Sequence, residues 1–313
     1  MVCTTFQREV GEVGSSRVRL FVVVLAVVGV SGASAAAAQA DKGAYWGTYV
    51  RARDGQTKLQ SLASLEAQLG RRFHAFRLYH ALDNTNLRSD IPAAMKARGA
   101  ALYLNVSSEL GRHCVPWRDV AAGRYNGYLH QIAKRIKRYR HRVFFSWNHE
   151  MLDKCSDGTP AQYVESYHRV HKLFKHDGVR NVTYVWTATS HNFRQDLATL
   201  RKYEPRRYDA VGVDGYNTNE WRSAADLFGA AHKFAVNHGK KFVIGEVGSD
   251  EDPNDPNAKA TWITNAAATF QAWHVRLVDW TNAVTSRGDY WADTSPEALA
   301  AYKAAGLKGY YMR

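Results

Sequence analysis

Short apolar runs alternate along this chain with longer segments in which apolar residues recur every three or four positions, from Ala44 onward. The short runs are typical of strands buried on both faces, and the longer segments are typical of amphipathic helices. The predicted strands are residues 44–49, 73–79, 100–106, 143–147, 182–186, 210–214, 242–246 and 275–280. The predicted helices are residues 58–69, 91–98, 124–139, 160–176, 194–203, 222–237, 259–273 and 296–305.

Eight strand–helix units in about 270 residues match the number and size of a (β/α)8 TIM barrel, an α/β fold with parallel strands. A doubly wound open sheet is the alternative. However, the sequence after the first strand, YWGTYVRARDG, contains nothing like the phosphate-binding pattern G-x-G-x-x-G. Since no linker rich in Pro, Gly or Ser separates the units, we predict a single barrel domain over residues 41–313.

The N-terminal segment has a different character. Two arginines precede the apolar run 20–30, and small residues then lead to Ala38-Gln39-Ala40. This pattern is typical of a secretory signal peptide that is cleaved before Asp41. The run is too short for a comfortable membrane span, and no later segment reaches ~18 apolar residues. We predict that residues 1–40 are removed and that the mature protein is a secreted, extracellular monomer without membrane contact; an uncleaved N-terminal anchor is the alternative.

The cysteine count changes with that cleavage, because Cys3 leaves and only Cys114 and Cys155 remain. An even pair in an oxidising compartment predicts a disulfide. Closing a loop of about 40 residues would stabilise the fold by roughly 4 kcal/mol. Two free buried thiols are the alternative.

The net charge of +13 permits attraction to anionic cell walls or polysaccharides. The densest basic run is residues 134–142. Its apolar members continue a helical stripe, which leaves the charges on the opposite face. We therefore interpret the run as a solvated helix face and predict no nucleic-acid partner.

The C-terminal ends of the strands are where active sites gather in this fold. The residues found there are Trp46, Tyr49, Tyr79, His80, Asn105, Glu109, His149, Glu150, Trp186, Asp214, Tyr216, Glu246 and Trp280. Two of the carboxylates, Glu150 and Glu246, follow the fourth and seventh strands. Aromatic rings cover the apolar faces of a sugar and polar groups bond its hydroxyls, so this rim suits a carbohydrate.

The two glutamates fit glycoside hydrolysis, which needs one protonated and one ionised carboxyl group on either side of the bond. The apolar stretch before Glu150 would raise its pKa by desolvation and suits the acid. Gly245 and Gly248 beside Glu246 are expected to leave room for a substrate. The alternative for each glutamate alone is a structural ion pair. A zinc protease pattern needs a second histidine four residues after His149, and Asp153 stands there, so we predict neither metal nor cofactor.

The chain resembles glycoside hydrolase family 26, a group of retaining (β/α)8 enzymes that includes endo-β-1,4-mannanases and members acting on mixed-linked β-glucan or β-1,3-xylan. The resemblance is carried by HEM at 149–151, YVESYHRVHKLFKHDGVRNVTYVWTA at 163–188, YDAVGVDGYN at 208–217 and KKFVIGEVGS at 240–249. It implies Glu150 as acid/base and Glu246 as nucleophile. It further implies that His149 lies in the inner sugar site, that Tyr216 bonds the nucleophile, that Asp214 contacts a sugar hydroxyl and that Trp280 stacks on the inner sugar.

Two departures from the family pattern surround the proposed acid. The family usually has an arginine four residues before it, where this chain has Ser146. After HEM the family usually continues with Asn-Gly and a tryptophan that stacks on the leaving-group sugar, whereas this chain has Leu152, Asp153 and Cys155. Trp117 or Trp147 is a candidate replacement for that platform, with core packing as the alternative, and the favoured one, for Trp147.

These observations predict a secreted, retaining endo-β-glycanase that acts on a β-linked polysaccharide, with mannan as the first choice. β-1,3-Xylan and mixed-linkage β-glucan are the alternatives with the same residues. Retention predicts that the carboxyl groups of Glu150 and Glu246 lie about 5 to 5.5 Å apart. The second hypothesis is a barrel that binds cell-wall polysaccharide without cleaving it.

Overall fold

Eight parallel strands close into a barrel in the computed structural model, which describes residues 43–87, 89–218 and 220–311. Each strand pairs with its neighbours in sequence, and the first pairs with the last. The strands are β1 (Tyr45–Val50), β2 (Ala75–Ala81), β3 (Ala101–Ser107), β4 (Val143–Trp147), β5 (Val182–Thr189), β6 (Ala210–Asn217), β7 (Lys241–Ser249) and β8 (Leu277–Asn282). The predicted TIM barrel is confirmed. The predicted signal peptide, residues 1–40, lies outside the described residues.

Helices follow the strands on the outside of the barrel. They are α1 (Lys58–Leu69), α2 (Asp90–Ala97), α3 (Trp117–Ala121), α4 (Asn126–Tyr139), α5 (Pro160–His176), α6 (Ser190–Gln195), α7 (Leu197–Leu200), α8 (Ala224–Asn237), α9 (Ala258–Ala272) and α10 (Pro296–Gly306), with 3-10 turns at Arg201–Tyr203 and Gly309–Tyr311. Across the parts of the chain described, none of the helices has the length and apolar character needed to cross a membrane.

The predicted helix over 194–203 is in fact three short pieces. Thr189 forms a capping box with Asn192, so the helical backbone begins earlier than the apolar pattern indicates. At Asp196 the backbone leaves the helical region, with φ of −136°, which separates α6 from α7. α5 begins where the sequence predicts, because Thr159 caps it and Pro160 occupies its first turn.

The interior of the barrel is layered. Near its N-terminal end the inward-facing residues form a small apolar cluster that includes Tyr103, Phe144 and Leu277. Two residues further along the strands the inward positions become polar, at Arg77 and Asp279, for example, and both side chains are fully buried. Polar side chains therefore fill the half of the barrel interior that lies toward the C-terminal ends of the strands.

Two small hairpins extend loops at that end. Residues 109–110 pair with 113–114 after β3, and residues 284–285 pair with 288–289 after β8. A disulfide joins Cys114 of the first hairpin to Cys155 in the loop after β4, with Cα atoms 5.1 Å apart. The predicted disulfide is thus confirmed, and it ties the loops after β3 and β4 together.

The basic segment 134–142 falls mainly on α4. That helix buries Leu129, Ile132, Ile136 and Tyr139 against the barrel. Lys134 and Arg138 on its other side are exposed. This arrangement agrees with the interpretation of the segment as a solvated face.

Candidate active site

The Glu246 carboxylate, on β7, is held by three side chains. Tyr79 donates a hydrogen bond from Oη to Oε1 at 2.8 Å, and Tyr216 donates one to Oε2. Arg77 Nη2 lies 3.2 Å from Oε1. Burial acts to raise the pKa of Glu246, but the positive charges of Arg77 and Lys154 outweigh it and lower that pKa below its ordinary value. Glu246 is therefore ionised at neutral pH, and both of its oxygens are oriented.

Arg77, on β2, is the cation at the centre of the site and was not among the predicted site residues. Its guanidinium donates two hydrogen bonds to Asp214, each 3.0 Å long, and its Cζ lies 4.5 Å from the ring centroid of Tyr103. With its amide oxygen turned toward the guanidinium, Asn105 accepts a hydrogen bond from Arg77 Nε at 3.0 Å. The available signal was an arginine inside the apolar stretch FHAFRLYH, because a buried cation requires a carboxylate partner.

Asp214 therefore has a different principal contact from the one expected. It borders the cavity described below, but it is only 2% exposed, and both of its oxygens accept hydrogen bonds from Arg77. Position 146, where the family usually has an arginine, holds a residue that does not contact Glu246 through any described bond. Ser146 instead bonds Thr187, with 3.0 Å between their hydroxyl oxygens, and the guanidinium beside Glu246 comes from β2.

The two glycines beside Glu246 also serve a purpose other than the one expected. A Cβ atom at Gly245 would lie 2.6 Å from Arg77 Nη1, and one at Gly248 would lie 2.7 Å from Tyr290 Cβ. Both distances are too short for a real contact. The expectation that these glycines make room for substrate is thus replaced: they make room for Arg77 and for Tyr290.

Glu150 lies in a loop with an unusual backbone. Asn148, Glu150 and Cys155 have φ angles of 43°, 52° and 46°, in the left-handed region that costs non-glycine residues about 1 to 3 kcal/mol each. Asn148 stabilises this path: its Oδ1 accepts a hydrogen bond from the Ser108 amide at 2.9 Å, and its Nδ2 donates one to the Lys154 carbonyl at 3.0 Å. The loop is therefore held in a strained shape that fixes the position of Glu150 above the barrel.

The two glutamates have opposite pKa shifts. Burial, followed by the negative charge of Glu246, raises the pKa of Glu150, and Lys154 opposes that rise. The Lys154 ammonium forms an ion pair with Glu150 Oε2. A carboxyl group whose pKa is raised beside another whose pKa is lowered is the pattern of an acid and a nucleophile.

His149 lies between these groups, with Nε2 3.9 Å from Glu246 Oε1 and 3.4 Å from Lys154 Nζ. Burial and the neighbouring cations lower the pKa of His149 well below its ordinary value, so the ring is neutral. Potential metal-binding atoms of His149, Asp214 and Glu246 lie within 4.8 Å of one another. Arg77 already forms ion pairs with both carboxylates of that group, so the charges favour these ion pairs over a metal.

The tryptophans expected at the sugar-binding rim are buried in the structure. Trp46, Trp186 and Trp280 are at most 3% exposed and pack between the barrel and its outer layer. Their ring partners are Tyr302 and Tyr311 for Trp46, Phe193, Tyr208 and Phe234 for Trp186, and Trp262 and Tyr302 for Trp280. Trp117 and Trp147 are buried as well, and each donates its indole hydrogen bond to a serine.

His80 also lies apart from the carboxylates. It follows Tyr79, the inward-facing residue of β2, and it is buried near Lys58 and the backbone of Asn84. Burial lowers its pKa. No described contact brings it to Glu150 or Glu246, so its predicted role in sugar binding finds no support in the structure.

A cavity of about 370 Å³ opens beside Glu150. Asp214 and Tyr216 border it on the barrel side, and Tyr216 supplies the aromatic ring of its wall, stacked on Tyr290 with centroids 4.5 Å apart. The charged residues of its outer wall are Asp153, Arg194, Glu220, Arg222 and Arg287. The cavity is thus polar, charged and poor in aromatic surface.

A (β/α)8 barrel with a raised-pKa glutamate after its fourth strand and an ionised glutamate on its seventh is typical of a glycoside hydrolase. The family model described as "Glycosyl hydrolase family 26" matches residues 89–291. The chain therefore belongs to glycosyl hydrolase family 26, which confirms the resemblance found in the sequence.

Similar proteins share this barrel. Endoglucanase H of Acetivibrio thermocellus is 24% identical over 213 residues, which are 61% of this chain and 23% of that protein. This chain thus spans less than a quarter of the length of that curated relative. A modular endo-β-1,4-mannanase from Cellulomonas fimi superposes with a TM-score of 0.61 at 15% identity, covering 87% of this chain and 74% of its own. The catalytic domain of a Bacillus sp. JAMB-750 endo-β-1,4-mannanase gives a TM-score of 0.63 at 16% identity, covering 86% and 87%.

Proposed function

We propose that this protein is a retaining endo-β-glycanase in which Glu246 is the nucleophile and Glu150 is the acid/base. The observation that carries the proposal is the contrast between the two carboxyl groups. Glu246 is held ionised and oriented by Arg77, Tyr79 and Tyr216, whereas burial raises the pKa of the neighbouring Glu150. Membership of the family supports the same assignment.

The reaction would proceed in two displacements. Glu150 donates its proton to the glycosidic oxygen while the Glu246 carboxylate attacks the anomeric carbon, which releases the leaving sugar and forms a glycosyl ester. Glu150, now ionised, takes a proton from water as that water attacks the same carbon and frees Glu246. Two inversions at one carbon give net retention. Arg77 and the two tyrosines keep the Glu246 carboxylate aimed at the anomeric carbon.

A β-mannan is the first-choice substrate, because endo-β-1,4-mannanases recur among the similar structures. β-1,3-Xylan and mixed-linkage β-glucan remain the alternatives, and the endoglucanase relative supports the second of these. The proposal includes secretion with residues 1–40 as signal peptide. The Cys114–Cys155 disulfide supports an oxidising compartment.

The test has two parts. The protein is incubated with soluble β-mannan, mixed-linkage β-glucan and β-1,3-xylan, and new reducing ends are measured. On the polymer that is cleaved, Glu246→Ala should lose activity, and azide should restore turnover of an activated glycoside as a glycosyl azide of inverted configuration. Glu150→Ala with azide should give the retained configuration. Azide products of the same configuration from both variants would contradict the assignment.

A second function, binding without cleavage, is favoured by two observations. Lys154 forms an ion pair with the proposed acid, and the tryptophans that could bind a leaving-group sugar are buried. Retention of the protein in affinity gels that contain these polymers, together with no release of reducing ends, would favour a polysaccharide-binding barrel.

A further inference from the structure

Lys154 occupies an unexpected place for a cation. Its ammonium pairs with Glu150 Oε2, although 52% of the lysine side chain is exposed and able to turn toward solvent. A general acid must be protonated when it acts, and an adjacent ammonium favours the ionised form instead. If Glu150 is the acid, Lys154 must move away from it, or find another anion, when the substrate binds.

The position of Lys154 is fixed by the loop around it. The Lys154 amide donates to the Glu150 carbonyl at 2.9 Å, and its carbonyl accepts from Asn148 Nδ2 at 3.0 Å. The next residue, Cys155, is tied by the disulfide to Cys114. The backbone is thus anchored on both sides of Lys154. The exposed end of the side chain can reach another anion that lies within a few ångströms of Glu150.

The leaving-group sugar would lie within those few ångströms. A general acid protonates the glycosidic oxygen of the leaving sugar, so a group bonded to Glu150 Oε2 lies beside that sugar. The neighbouring wall of the cavity carries positive charge at Arg194 and Arg287. It also carries the exposed carboxylate of Asp153. Two carboxylates of the wall, Asp214 and Glu220, already form ion pairs with Arg77 and Arg222. The net charge of +13 has the same sign.

We propose that the site prefers β-linked polysaccharides in which some units bear a carboxylate group, such as hexuronic acid units, and that Lys154 binds the carboxylate of the leaving-group sugar. The carboxylate of the bound sugar pairs with the Lys154 ammonium in place of Glu150. Glu150 then binds a proton and can act as the acid. The inference rests on the proposed function, and it names the substrate class that the same site selects.

The experiment compares one soluble β-glycan with the same polymer partly oxidised at C6 to carboxylate. Wild type, Lys154→Gln and Lys154→Arg are assayed on both, with Lys134→Gln as a control that removes the same charge from the outer face of α4. Wild type should cleave the oxidised polymer with a kcat/KM about 10-fold higher, the gain expected from one charge-assisted hydrogen bond. Lys154→Gln should abolish the preference, whereas Lys154→Arg and Lys134→Gln should keep it.

The products and the binding provide independent readouts. Mass spectrometry should find uronic acid enriched at the new non-reducing ends, because the leaving sugar becomes that end. Affinity gels with the Glu246→Gln protein should show tighter binding to the oxidised polymer that is lost with Lys154→Gln. An equal kcat/KM of wild type on both polymers would overturn the inference and leave hydrolysis established. An equal effect of the Lys154 and Lys134 variants on the preference would do the same. Lys154-dependent binding without cleavage of either polymer would instead reject the proposed function and retain the carboxylate ligand.

Discussion

Arg77 Nη2 lies 3.2 Å from Glu246 Oε1, while the same guanidinium holds both oxygens of Asp214 at 3.0 Å. We expect Arg77→Met to raise the pKa of Glu246, because a cation that favours its ionised form is removed. The acidic limb of the pH profile of kcat/KM should therefore move to higher pH.

Arg77→Met also leaves Asp214 buried without its partner, which costs about 3 to 5 kcal/mol of unfolding free energy. The double variant Arg77→Met/Asp214→Asn separates these effects. Denaturant titration should show recovered stability, and the pH profile should remain shifted. An unshifted acidic limb in the folded double variant would contradict the role of Arg77.

Tyr216→Phe should lower kcat/KM about 10- to 100-fold, because Glu246 Oε2 loses a hydrogen bond to a charged group. The ring stacking on Tyr290 is unchanged by the substitution. Tyr290→Phe is the matched control, since its hydroxyl is not a donor to Glu246, and it should retain near wild-type rates. Steady-state kinetics of the two variants on one polymer test this expectation. Equal losses of kcat/KM in both variants would contradict the role of the Tyr216 hydroxyl.

Reduction of the Cys114–Cys155 disulfide should lower the free energy of unfolding by about 4 kcal/mol, because it releases a loop closed over a sequence separation of 41 residues. Chemical denaturation with and without reductant measures the change. The double variant Cys114→Ser/Cys155→Ser should match the reduced protein and should not respond to reductant. A wild-type protein indifferent to reductant under unfolding conditions would contradict this expectation.

Asp279 is fully buried on β8, and neither of its oxygens has a hydrogen-bond partner among the described residues. Burial raises its pKa well above the ordinary value. The folded state therefore keeps a proton that the unfolded state loses above about pH 4, and this difference lowers stability as pH rises. Asp279→Asn should raise the free energy of unfolding at pH 7 relative to wild type, by more than about 1 kcal/mol.

At about pH 3 or below, the gain from Asp279→Asn should largely disappear, because wild-type Asp279 is then protonated in both states. Denaturant titrations at the two pH values give the comparison, and exposed Asp157→Asn is the control. A gain that is the same at both pH values would point to packing and against ionisation.

The sequence predicts which segments form the strands and helices of this barrel, but it does not predict which way the strand residues face. Trp280 and Asp279 are adjacent, yet the tryptophan packs outward on Tyr302 and the aspartate is buried inside the barrel. Both faces of a parallel barrel strand are buried, so hydrophobic periodicity contains no information about its phase. A charged residue within a strand does contain it, because a cation such as Arg77 must point toward the available carboxylates.

For the candidate site, the sequence predicts some of the residues and misses others. Glu150 and Glu246 were recognisable because each is a carboxylate at a strand end, where the fold brings chemistry together. The ion pair of Lys154 with Glu150 was not recognisable in the sequence. It depends on a loop in which residues other than glycine adopt the left-handed backbone conformation, and the sequence gives no sign of that conformation.

The Arg77 guanidinium fits in its position because residue 245 is a glycine and has no Cβ atom. In an alignment of relatives, glycine at position 245 should therefore co-occur with arginine at 77 and an acid at 214. Covariation among these three positions would show that the glycine is retained together with the ion pair for which it makes room.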